Sequence, residues 1–159
     1  MAFAEHRRVY SHTYDEDTRQ LSKGFYEDTF IGQLHLLKGA LSDGASGPIF
    51  TLNMLGLSRF DPEIERAVWV HDLLYGFGKI SKADADRIFF DILMADGLDR
   101  VRASVLYRAV KWGGKKKFMA NAPDIKHIDF LPNTTYKRYF YEPKISKPNR
   151  RNRCRPWRR

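Results

Sequence analysis

Between Asp61 and Gly97 the chain alternates start and stop signals for two helices, with only a few residues between them. Asp61-Pro62-Glu63 opens the first, with an Asp at the cap, a proline in the first turn and an acid near the positive dipole end. Gly76-Phe77-Gly78 stops that helix after Tyr75. Ser81-x-x-Asp84 is a capping-box pattern with Asp in place of Glu, and it opens a second helix that runs to about Ala95, where Asp96-Gly97 ends it. So short a connection predicts antiparallel neighbours. A third helix, from Asp99 to Trp112, carries Val101, Val105, Leu106, Ala109 and Trp112 at helical spacing and ends at Gly113-Gly114.

The hairpin decides where its polar residues go. His71 lies one turn before Tyr75, and Asp86 lies early in the second helix, after the Ser81 cap. At 1.5 Å per residue both sit about 6–8 Å from the connecting turn, level with each other. His71 and Tyr75 share a helix face. Asp86 is placed to accept a hydrogen bond from the His71 ring and orient it, leaving the other ring nitrogen for a water or a substrate. Asp72 is turned by about 100° from His71, toward a side where the Asp43-Gly44 loop could bring a second carboxylate. With Gly44 turning carbonyls inward, Asp43 and Asp72 would offer the hard oxygens that Ca²⁺ takes. A cation there would polarise a carbonyl while His71 activates water. The same His–Asp–Tyr cluster is equally what a satisfied polar network that fixes helix register looks like. The residues leave both readings open.

The rest of the chain bounds the class. A hydrophobic fraction of 43% over 159 residues is enough for one folded domain. No apolar run approaches the roughly 18 residues of a membrane span, and the first residues show no apolar signal-peptide core. A single cysteine, Cys154, excludes an internal disulfide and favours a cytosolic origin. Three segments are expected: an N-terminal arm or short strands over 1–36, the helical core with the His-Asp hairpin over 37–114, and an extended arm over 115–159. The expected fold class is mainly α, with α+β as the alternative: a compact three-helix core with irregular N- and C-terminal arms. The net charge of +9 belongs to the end of the chain, because residues 144–159 hold eight Lys/Arg and no acid. Such a tail suits an acidic protein surface, a nucleic acid or an anionic membrane.

Two resemblances follow. Gly39-Ala-Leu-Ser-Asp-Gly-Ala-Ser46, His71-Asp-Leu-Leu-Tyr75, Ala85-Asp-Arg-Ile-Phe89, Gly97 and Tyr107-Arg-Ala-Val110 resemble, over about residues 37–115, an uncharacterised family of small phage and prophage proteins known only as a domain of unknown function. That resemblance implies a virion-associated structural protein of the tail, neck or baseplate, made in the host cytoplasm and assembled with other virion proteins into an oligomer. More distantly, His-Asp-x-x-Tyr on one helix and Asp-x-x-Phe on the next are similar to bacterial and fungal secreted phospholipase A2. This implies a phospholipase A2-like core and a calcium-dependent phospholipase or esterase acting on the host envelope. His71 would be the general base, Asp86 its orienter and Tyr75 a support for Asp86. Asp72, Asp43 and the Gly44 loop would hold Ca²⁺. The single cysteine departs from that disulfide-bonded family.

Overall fold

The computed structural model describes residues 8–45, 49–114, 118 and 127–136. The Arg-rich segment 144–159 and Ser46 lie outside the described residues, and so do the partners expected of the tail.

The chain opens with strands. β1 (Ser11–Thr13), β2 (Arg19–Leu21), β3 (Phe25–Thr29), β4 (Gly32–Leu36) and β5 (Leu41–Ser42) come first. Among the described elements four helices follow: α1 (Ile49–Met54), α2 (Glu65–Phe77), α3 (Lys82–Ala95) and α4 (Arg100–Gly113). β6 (Ile128–Pro132) completes the set. The strands form two antiparallel three-stranded sheets, in the orders β1-β2-β5 and β3-β4-β6. In the second sheet β4 is central: Leu34 faces Glu27 on one side and Phe130 on the other. Alternation along β4 sends Leu34 and Leu36 fully inside.

The expectation of a mainly helical protein with irregular arms is therefore wrong: the fold is α+β. The strand residues Leu21, Leu34 and Leu36, with Ile31 of the β3–β4 turn, join Trp69, Leu74, Ile88 and Leu93 of the helices in one buried cluster. Each such aliphatic burial is worth about 1.5–3 kcal/mol, so the sheets are part of the core and not arms around it. Within the expected C-terminal arm, residues 128–132 are a paired strand. The 41–60 stretch holds β5 and the short helix α1.

Cap chemistry sets the helices. Asp61 accepts the Glu63 N–H at 3.0 Å through its side chain, and its carbonyl accepts from Ile64 and Glu65. The turn it makes delays α2 to Glu65, and the buried Phe77 carries the helix past Tyr75 to a Gly78 cap. Ser81 caps α3 by accepting the Asp84 N–H, and Asp99 caps α4 by accepting from Val101 and Arg102. Ser81→Ala is expected to cost about 1 kcal/mol in urea unfolding. An unchanged midpoint would deny the cap any energetic role. Among the described residues no helix is long and apolar enough to cross a membrane.

Candidate active site

α2 and α3 lie antiparallel, and their facing sides bring His71, Tyr75 and Asp86 together. His71 Nε2 meets Asp86 Oδ1 at 2.9 Å, and the Tyr75 hydroxyl donates to the same oxygen at 2.6 Å. Lys82 Nζ donates to Asp86 Oδ2 at 2.6 Å and also to the carbonyls of Val110 and Lys111, at 3.0 and 3.2 Å. One ammonium thus ties the start of α3 to the end of α4. The Phe89 ring lies 5.0 Å from that of His71, and Phe118 meets Tyr75 edge-on at 5.1 Å.

The charge states follow from these contacts. Burial alone would push the Asp86 carboxyl up, but the hydrogen bonds from His71, Lys82 and Tyr75 outweigh it and hold the group below its ordinary value. An ionised carboxylate only accepts. The hydrogen-bond network therefore assigns a proton to His71 Nε2, and the lone pair of the neutral ring falls on Nδ1. Burial, then the bond to Asp86 and the charges of Asp86 and Asp72, push the Tyr75 phenol far up. It stays a donor at any ordinary pH.

His71 and Asp72 leave the helix in different directions. Asp72 Oδ2 accepts the Ser42 hydroxyl at 2.6 Å, which fastens the end of β5 to α2. Ser42 Oγ in turn accepts the Gly44 N–H at 3.1 Å. Gly44 has φ +75°, and a Cβ there would stand 2.9 Å from the Phe60 ring and 3.0 Å from the Arg59 carbonyl, so only glycine fits. Asp43 itself is exposed. The loop thus meets Asp72 through Ser42. Among the described residues no group of three His, Cys, Asp or Glu side chains is placed to hold a metal ion.

A cavity of about 340 Å³ opens beside this cluster, with His71, Asp72 and Tyr75 in its wall. The remaining lining is largely apolar, from Leu52, Ile64, Val68, Phe89, Leu106 and Val110 among others. Sequence reasoning missed Lys82, although its i,i+4 spacing to Asp86 is a helix-face signal. It also missed Ser42 and the contribution of α4 to the cavity, which need the tertiary packing.

No curated protein and no solved structure matches the chain. A family model does match, over residues 19–110, from β2 through most of α4 with His71, Asp72 and Asp86 inside the matched span. With more than half of its length so covered, the chain belongs to DUF1353, a family of proteins of unknown function.

Proposed function

We propose that the chain is a hydrolase of esters that carry an apolar chain. The observation behind this reading is the 2.9 Å His71–Asp86 bond in the wall of an apolar cavity. Asp86 fixes the ring and its tautomer. His71 Nδ1 would take a proton from the water that attacks the ester carbonyl and hand it to the departing alkoxide oxygen as the acyl C–O bond breaks, giving a carboxylic acid and an alcohol. Tyr75 and Lys82 hold Asp86, so their part is positioning. The apolar lining would seat the chain of the substrate and exclude bulk water. A phospholipase-like ancestry and a phage origin, which the motif resemblances imply, belong to the same proposal.

Fatty-acid release from phospholipid vesicles and from simple esters tests it. His71→Ala is expected to lower release at least about a hundredfold. Equal release by wild type and variant sinks the reading. Parallel assays with Ca²⁺ and with EGTA decide whether a cation contributes.

A second reading is a structural component of a virion. In its favour are exposed aromatics on the N-terminal strands and turns, Tyr10, Tyr14 and Tyr26 at 45%, 59% and 63%, which suit contact with neighbouring subunits. Absence of the protein from purified particles would remove it. The two readings are compatible, since a particle can carry an enzyme.

A further inference from the structure

We propose that the outer groove between α3 and α4 binds single-stranded nucleic acid, independently of the His71 site and of the basic tail. The groove has a volume of about 570 Å³ and is built from one stripe of each helix. α3 supplies Arg87, Phe90 and Asp91 at i, i+3 and i+4, and α4 supplies Ser104, Tyr107, Arg108, Lys111 and Trp112 at the same kind of spacing. Arg100, one turn before Ser104, extends the α4 stripe and is exposed.

Cations and rings interleave along this surface. Lys111 Nζ lies 5.7 Å over the Tyr107 ring, and the Phe90 and Tyr107 rings stand 5.5 Å apart. Trp112 is 77% exposed, an arrangement that leaves a large planar surface in water. α4 itself, RVRASVLYRAVKWG, has four basic residues and no acid. Among the described residues of the groove the one carboxylate, Asp91, is 3.8 Å from Arg87, and both are well exposed, so their pairing is weak. With Arg87, Arg108 and Lys111 set against that one acid, the groove is positive.

Stacking rings beside phosphate-binding cations is the chemistry that holds a single strand without reading its sequence. A bilayer is a poorer fit, because the surface is concave and carries Ser104 and Asp91 in its lining. An acidic peptide would use the cations and leave Tyr107 and Trp112 bare. From Arg100 to Lys111 the α4 stripe runs about 16 Å, enough for a few nucleotides.

The test is fluorescence anisotropy of a labelled oligothymidylate titrated with the full chain across a range of salt. Trp112→Ala is expected to weaken binding roughly tenfold with an unchanged salt slope, since it removes stacking and no charge. The double variant Arg108→Gln/Lys111→Gln is expected to reduce the slope of log K against log salt by about 1.4, at about 0.7 for each phosphate it no longer neutralises. All three side chains are at the surface, so the fold should survive. Binding by both variants equal to wild type would overturn the proposal and assign any affinity to the tail. So would failure to bind the oligonucleotide, or binding only to phosphatidylglycerol vesicles.

Discussion

Asp86→Ala is expected to lower unfolding stability by about 3–5 kcal/mol, the scale for removing one partner of a buried ion pair. The carboxylate is 3% exposed and gathers three donors: His71 and Tyr75 on one oxygen, Lys82 on the other. Truncation strips all three at once and leaves the Lys82 ammonium with the carbonyls of α4 as its acceptors. Asp86→Asn should fail too, because its NH₂ must face either Lys82 or the His71–Tyr75 pair, donor against donor. Adding Lys82→Met should recover part of the loss, since the stranded charge goes with it. Urea titrations of the two single variants and the double variant measure this directly, and additive losses would refute a shared network. Acid gives a second reading. Asp86 has its folded value held below the ordinary 3.8, so it adds stability above that pH and loses it as pH falls further. The wild type should therefore weaken below about pH 4, and Asp86→Asn should show a flatter acid limb.

How far the sequence reveals this site depends on the range of the interaction. The hairpin is legible because its signals are local. Ser81 and Asp99 cap the helices they announce, and a short turn leaves His71 and Asp86 no choice but to meet. The sheets are not legible. β1, β2 and β5 have three, three and two residues, too few to show alternation. β4 pairs with β6, so residues 32–36 find 128–132 across the whole helical region. No local pattern encodes such a pairing. The Ser42 contact beside Asp72 is hidden for a subtler reason. Along Leu41, Ser42 and Asp43 exposure alternates out, in, out, as strand parity requires. Ser42 therefore faces α2, while Asp43 is exposed. Read as a loop, the same three residues carry no parity, and Ser42 is not singled out.

The joint between sheet and hairpin yields the second large effect. Arg66, on α2, is 14% exposed; its Nε donates to Oδ2 of Asp96, beyond the end of α3, at 3.1 Å, and a terminal nitrogen lies in ion-pair contact with Oδ1 at 3.0 Å. Its other terminal nitrogen reaches Glu27 of β3 at 3.1 Å, where the carboxylate is 8% exposed. One guanidinium thus joins β3, α2 and the end of α3. Arg66→Met is expected to cost about 3–5 kcal/mol, because it takes the shared cation away from two nearly buried carboxylates. Arg66→Lys should recover only part, since a single ammonium cannot span Asp96 and Glu27 as the guanidinium does. The deficit of Arg66→Met should shrink as pH falls, because protonation removes the charges left behind. Urea midpoints followed through the buried Trp69 across a pH series check both statements. A deficit below about 1 kcal/mol, the range of exposed pairs, would mean that apolar packing alone joins the sheet to the hairpin. If the larger value holds, Arg66 also governs the site at a distance. The sheets and α2 share one core, and β5 delivers Ser42 to Asp72 from that side. Loosening the joint should therefore disturb the Asp72 wall of the cavity before the His71–Asp86 bond, which lies wholly within the hairpin.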